Sequence, residues 1–317
     1  MKRDLLNVFL LSIILFSWAQ ITYCKEASTQ VRIGVLPIMD VLPVYVAKEK
    51  GYFEQEGIKA EIIPCASAAE RDQLLVAGSL DIIVNDLLSI ALFNREKVNV
   101  IGVRYAMVPD QNFFQFAIVA SKSSKITKPS DLKGVPIGVS YATIIHYVTE
   151  RLLNKEGLKH DEIKTVQIPR IPDRLSALMR GDLKAACLPD PFASLSVMQG
   201  ANLILDDRKN PSFSGSIYSV SRIFAEKNPE LIKKFLLSVD KAIGDINREK
   251  QKWLGIALEK KLLPPVLSGQ YVIPNFPRSS IPDHKMWDDV ISWLREKDLI
   301  RQPVQYSESI TGKFLRR

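Results

Sequence analysis

Apolar residues recur along this chain in two rhythms. Short β-branched runs, Val31 to Leu36 first among them, alternate with segments in which apolar positions return every three or four residues, the spacing of one helix face. Pro43 to Lys50 is a helix stopped by Gly51, and Glu61 to Pro64 is extended. Ser67-Ala68-Ala69-Glu70 has the Ser-x-x-Glu spacing of a capping box and opens a helix that Gly78 closes, and Asp81 to Val84 is the next strand. Further on, Ile144, Ile145, Val148, Leu152 and Leu153 share a helical face before Gly157, as do Leu175, Leu178 and Met179 before Gly181.

The second set repeats the first. At an offset of about 100 residues, Val31-Arg32-Ile33-Gly34-Val35 aligns with Val135-Pro136-Ile137-Gly138-Val139. Glu56-Gly57-Ile58-Lys59 aligns with Glu156-Gly157-Leu158-Lys159, Ile63-Pro64 with Ile168-Pro169, Arg71 with Arg174, and Gly78-Ser79-Leu80 with Gly181-Asp182-Leu183. Each copy reads strand, helix, strand, helix, strand, which implies right-handed crossovers and a mainly parallel sheet. The fold class is therefore α/β: two similar lobes, each a mainly parallel sheet flanked by helices.

A Ser/Gly-rich stretch from Pro211 to Ser216 leads into a strand-like Ile217 to Phe224. Asn228-Pro229-Glu230 then caps a long amphipathic helix, a second helix runs from about Lys250 to Leu262, and a last one covers Asp283 to Lys297. Phe114 to Ala120 and Ile217 to Phe224 bracket the second copy and form a two-strand hinge, with the C-terminal helices packing back on the first lobe. The expected division is 1–24 as a leader, 30–115 with 218–317 as the first lobe, and 116–217 as the second.

The leader is read from Lys2 and Arg3, the apolar run Leu5 to Phe16, and the small residues Ser17 and Ala19: a secretory signal peptide cleaved near 19–24. The run is shorter than the about 20 residues of a spanning helix. Ile21-Thr22-Tyr23-Cys24 resembles a lipoprotein box, with Tyr23 where such boxes carry a small residue, so acylation at Cys24 is the lesser alternative. Cys65 and Cys187 stand far apart with no metal spacing and read as buried thiols. The 43 Lys and Arg against 35 Asp and Glu are interspersed, a mixed surface rather than a nucleic-acid stripe. At 317 residues with 46% hydrophobic positions, the chain is neither disordered nor a disulfide mini-protein.

In open parallel sheets ligands sit beyond the carboxyl ends of the strands, where helix N-termini present unpaired N–H groups. That rule selects Leu36 to Asp40, Asn85 to Leu88, Gln111 to Phe114, Ser140 to Thr143 and Pro189 to Phe192 around one inter-lobe cleft. The candidate ligand-binding residues are Asp40, Asn85, Asp86, Phe113, Ser140, Tyr141, Thr143 and Asp190. Plainer accounts exist: Asp86, Ser140 and Thr143 as helix caps, and Phe113, Phe114, Tyr141 and Phe192 as core.

Ile33-Gly34-Val35-Leu36-Pro37, Pro43 to Phe53, Glu56-Gly57-Ile58, Asp131-Leu132-Lys133-Gly134 and Asp190-Pro191-Phe192 resemble the substrate-binding proteins of ABC importers. The group is that of nitrate, taurine, alkanesulfonate and thiamine-pyrimidine-precursor receptors. The resemblance implies a type 2 periplasmic binding fold, a monomer in the periplasm that closes on a small ligand and delivers it to a permease with its ATPase. It implies no cofactor and no membrane contact beyond the permease or a lipid anchor. Closure requires a ligand that contacts both lobes better when they are shut. Asp40, Asp86 and Asp190 near one cleft argue against a bare anion, since an unpaired buried carboxylate costs several kcal/mol. A ligand with N–H donors, aminopyrimidine-like or zwitterionic, satisfies them, with Phe113, Tyr141 or Phe192 against its ring. The alternatives are an enzyme on the same fold, against which stands the lack of the clustered-cysteine motif of the related synthases, and a ligand-sensing module. His146, His160 and His284 are too scattered to suggest catalysis, and no metal site is expected.

Overall fold

A computed structural model of the chain describes residues 29–315, so the leader and Cys24 lie outside the described residues. Ten strands fall into two five-stranded sheets. In chain order they are β1 (Gln30–Val35), β2 (Lys59–Pro64), β3 (Ile82–Asn85), β4 (Val100–Met107), β5 (Phe116–Ala120), β6 (Pro136–Val139), β7 (Lys164–Gln167), β8 (Ala185–Pro189), β9 (Asn202–Asp206) and β10 (Ser216–Ser221). The first sheet has the order β2-β1-β3-β10-β4 and the second β7-β6-β8-β5-β9.

The duplication explains why the two orders are the same. In each sheet three strands of one copy run parallel, with Ile33 opposite Ile82 in one and Ile137 opposite Ala185 in the other. A single antiparallel strand separates them from the last strand: β10 in the first sheet and β5 in the second. Both inserted strands adjoin the places where the chain passes between lobes. The repeated glycines have one structural reason. A Cβ on Gly34 would stand 2.4 Å from Leu80 Cδ1, and a Cβ on Gly138 would stand 2.4 Å from Leu183 Cδ2. The helix-closing leucine of each copy packs flat on the first strand, and only glycine leaves it room.

Two expectations need correction. The strand after the Ser/Gly-rich stretch ends at Ser221, and Arg222–Lys227 is helical: the Ser221 hydroxyl accepts a hydrogen bond from the Phe224 N–H (3.2 Å) and starts a helix where β-branched residues suggested more strand. The amphipathic helix His284–Glu296 packs on the Leu87–Phe93 helix of the first lobe, but it also bonds to the Ile144–Lys155 helix of the second.

Strand alternation divides the interior into three apolar clusters. On one face of the sheets Ile83, Tyr105 and Ile217 of the first lobe and Ile118, Ile137 and Cys187 of the second join in a single core with Trp287 and Trp293. On the other face the buried residues form two clusters, one around Ile33, Tyr218 and Phe235, against which half-buried Leu195 of the second lobe packs, the other around Ala117, Val119 and Leu188. Cys65 and Cys187 are both buried free thiols. Among the described residues no helix is long and apolar enough to cross a membrane.

Candidate functional site

The carboxyl ends of β1, β3, β6 and β8 meet in one cavity between the lobes. Leu36, Ile38 and Asp40 follow β1, Asn85 ends β3 with Asp86 after it, Ser140 and Thr143 follow β6, and Pro189 ends β8. Gln115, Phe116, Gly215 and Ser216 supply the side where the chain crosses between lobes. Asp207, buried behind them, accepts hydrogen bonds from the N–H groups of Gln115 (2.9 Å) and Phe116 (3.0 Å) and from the Ser214 hydroxyl (2.6 Å), pinning the outgoing crossing segment to the returning one. Burial still pushes its carboxyl up to about 7. The cavity volume is about 60 Å³, room for a few water molecules and well below the about 150 Å³ that accommodates a benzene ring.

The first-lobe wall carries the charge. Asp40 sits in the 3-10 turn Met39–Val41 and Asp86 caps the Leu87–Phe93 helix, its Oδ1 accepting from the Ser89 N–H at 2.8 Å. Burial pushes both carboxyls up to about 6, against the opposing pull of Arg71. The Ser216 hydroxyl also favours ionised Asp40, yet Asp40 Oδ1 has no hydrogen-bond partner. Ser216 Oγ in turn accepts from Gln115 Nε2 (2.8 Å), which leaves Gln115 Oε1 as a second buried acceptor with nothing to accept. Asn85 is occupied by neighbours, donating to Ser89 Oγ (3.2 Å) and accepting from the Ser219 hydroxyl (2.6 Å).

Arg71, absent from the expected set, lines the same wall. Its Nη1 donates to the Val84 carbonyl (2.8 Å) and its Nε to Asp72 Oδ1 (2.8 Å). Nη2 is 2.7 Å from that oxygen in ion-pair contact but directs no hydrogen bond at any acceptor. Among the described residues the cavity thus holds two unpaired acceptors and one unspent donor. Unpaired buried polar atoms cost about 1–3 kcal/mol each, a debt that a complementary guest removes.

The second-lobe wall is less polar. Thr143 donates its hydroxyl to the Ser140 carbonyl (2.7 Å) instead of capping, so the Ile144–Lys155 helix begins at the cavity without a side-chain cap. The Ile171–Arg180 helix begins there in the same way, with Ile171 on the wall. Arg174, the counterpart of Arg71, donates Nη1 to the Ile168 carbonyl (2.7 Å) but is sealed from the cavity, and burial lowers its guanidinium to about 10.

Five of the eight expected residues, Asp40, Asn85, Asp86, Ser140 and Thr143, are therefore brought together. Phe113 and Asp190 line a neighbouring groove with Phe114, Ser194, Arg208 and Tyr271, and Asp190 accepts hydrogen bonds from the Ser194 and Tyr271 hydroxyls. Burial pushes the Asp190 carboxyl up to about 6 as well. Tyr141 is outside both spaces: it is 43% exposed, donates its hydroxyl to the Thr165 carbonyl (2.9 Å) and lies against His146. Sequence reasoning missed Arg71, Gln115 and Ser216. Arg71 carried a signal, its match to Arg174; the other two owe their place to the path of the crossing strands. Among the described residues no group of three His, Cys, Asp or Glu could hold a metal.

A family model described as NMT1/THI5 like matches residues 38–251, a span that contains every residue of the cavity wall except Leu36. The chain belongs to the NMT1/THI5-like family. A protein of Escherichia coli named for aliphatic sulfonate binding is 25% identical over 155 residues, 49% of this chain, and the match spans about half (48%) of that relative. The formylaminopyrimidine-binding protein of Halalkalibacterium halodurans is 19% identical over 286 residues, 85% of each chain. Among solved structures, the alkanesulfonate-binding protein SsuA of Xanthomonas axonopodis bound to MOPS superposes with a TM-score of 0.76 at 18% identity, over 89% of this chain and 98% of that one. This NMT1/THI5-like chain therefore has the two-lobed type 2 periplasmic binding fold.

Proposed function

We propose that this protein is the extracytoplasmic solute receptor of an ABC importer, closing on a small ligand that offers N–H donors and one acceptor. Asp40 Oδ1 and Gln115 Oε1, buried and unpaired in the inter-lobe cavity, carry the reading. A zwitterion with an ammonium end satisfies Asp40, and an aminopyrimidine edge sets an amino donor beside a ring-nitrogen acceptor for Arg71. Relatives named for taurine, an aminosulfonate zwitterion, and for formylaminopyrimidine support these two arms in turn. A bare anion leaves Asp40 uncompensated, and a buried carboxylate with no partner costs several kcal/mol.

In this reading the lobes are 30–115 with 218–317 and 116–217. Asp40, Asn85, Asp86, Ser140 and Thr143 contact the ligand together with Arg71, Gln115 and Ser216, while Phe113 and Asp190 stand at the mouth. The receptor works as a monomer in the periplasm, without a cofactor, handing its ligand to a permease driven by an ATPase.

Native mass spectrometry of the exported protein, before and after denaturation, tests for a carried ligand. A thermal-shift panel then compares 4-aminopyrimidines and short aminosulfonates with nitrate and unsubstituted alkanesulfonates. Stabilisation by the amine-bearing compounds is expected, growing with concentration as RT ln(1 + [L]/Kd). A shift with nitrate or plain alkanesulfonates alone would overturn the ligand class.

A further inference from the structure

We propose that the lobes pivot on the His284–Glu296 helix and that the hydrogen bond from Tyr271 to Asp190 is the gate through which ligand enters and leaves. The proposal rests on the receptor reading for its purpose, but its geometry stands on the two faces of the sheets. On the face of Trp287 and Trp293 one apolar core runs unbroken through both lobes. Polar ties reinforce it from the Ile144–Lys155 helix: the Tyr147 hydroxyl donates to Asp289 Oδ2 (2.5 Å), Arg151 Nε donates to the same oxygen (3.0 Å), and Glu150 accepts from Trp293 Nε1 (2.8 Å) and Lys297 Nζ (2.6 Å). Burial alone would raise the Glu150 carboxyl, but its hydrogen bonds from His146, Lys297 and Trp293 hold it at about 2, so this brace stays charged across the physiological range.

The opposite face is divided. There the buried residues of the two lobes form separate clusters, with half-buried Leu195 of the second lobe packed against the first, and Tyr271 belongs to the first cluster while Asp190 follows the last strand residue of the second lobe's β8. Away from the crossing segments and the brace, the Tyr271–Asp190 bond is the side-chain hydrogen bond that joins the lobes among the described residues. It spans a groove of about 470 Å³, ample for a ring where the inner cavity is not. Entry of a ring into the inner cavity therefore requires the lobes to part, and the cheapest parting leaves the continuous core intact and breaks the Tyr271–Asp190 bond and the Leu195 contact across the divided face.

Hydrogen exchange of the full, unliganded chain tests this without knowledge of the ligand. Tyr271→Phe and Asp190→Ala remove the bond from opposite lobes. Each is expected to raise amide exchange about 10- to 100-fold in both 189–198 and 267–273, the factor that follows from losing one hydrogen bond to a charged group, with 144–155 and 284–296 unchanged. Thermal melts confirm that each variant is folded, and either one suffices if the other is not. A rise confined to the mutated lobe would show a local loosening and overturn the gate. Faster exchange in the brace helices would overturn the pivot, and no rise anywhere would show that the bond holds nothing shut. Each of these failures leaves the receptor reading standing, because no ligand enters the measurement.

Discussion

Replacing Asp40 by Asn is expected to make the unliganded protein more stable and the receptor worse. Asp40 is buried and one of its oxygens is unpaired, and burial raises its carboxyl from 3.8 to about 6. At about 1.4 kcal/mol per pH unit, holding that group ionised costs the folded state about 3 kcal/mol at neutral pH. The folded-state pKa is the higher one, so the group's contribution to stability is intact below about 4 and is lost as pH rises through 6. Asn keeps the shape and drops the charge, so the variant should gain up to about 3 kcal/mol at pH 7.5, about 5 °C in Tm for a chain of this size, and nothing at pH 4. An N–H ligand loses a charge-assisted hydrogen bond in the same variant, about 1.5–3 kcal/mol or roughly 10- to 150-fold in Kd. Melts at the two pH values and titration calorimetry with an amine-bearing ligand from the thermal-shift panel read both effects. A variant less stable than the parent at pH 7.5 would refute the reasoning, because Asp40 would then be a structural partner of Arg71 and not a group kept for a guest.

Affinity for an N–H or cationic ligand should fall about tenfold per pH unit below 6 for each of Asp40 and Asp86 that receives it, as these groups take up protons, and calorimetry between pH 4.5 and 7.5 checks it. A flat profile would mean that neither carboxylate receives the ligand. Gly138→Ala drives a methyl to 2.4 Å from Leu183 Cδ2 and should cost about 1–3 kcal/mol in urea unfolding, with Gly34→Ala, facing Leu80, costing a similar amount in the other lobe. Equal stability of these variants and the parent would remove the packing reason for the repeated glycine.

What the chain discloses in advance depends on how far each feature reaches in sequence. Helices around Leu42–Glu49 and Ala68–Val76 are legible because their caps and apolar faces are local, and the duplication turns local elements into two lobes of the same plan. The rule that ligands sit past the strand ends then places Asp40, Asn85, Asp86, Ser140 and Thr143 at one cavity, since each lies within a few residues of such an end. Gln115 and Ser216 escape it. They border inserted strands that run the other way, and they meet only because β5 and β10 return across the lobes 100 residues apart, which no spacing records. Asp190 and Tyr141 mark another limit: position after a strand fixes which end of the sheet a residue occupies but not which of its two faces it turns to. That choice places Asp190 on the divided face with Tyr271, and Tyr141 outside against His146.

Arg71 and Arg174 show why even a clear internal repeat needs the fold to interpret it. Both occupy the same place in their copies, and both give one guanidinium hydrogen to a backbone carbonyl near a strand end. The neighbours decide the rest. Asp72 pairs with Arg71, and with Asp40 and Asp86 nearby its charge is balanced at the cavity wall. Among the described residues no carboxylate pairs with Arg174, which is closed off and whose guanidinium falls to about 10. Arg71 thus lines the cavity, while Arg174 packs on Gly138, whose missing Cβ would stand 3.3 Å from the Arg174 stem. The duplication gives two walls of the same plan, and Asp40, Arg71 and Asp86 put the charged side chains of the cavity on the first.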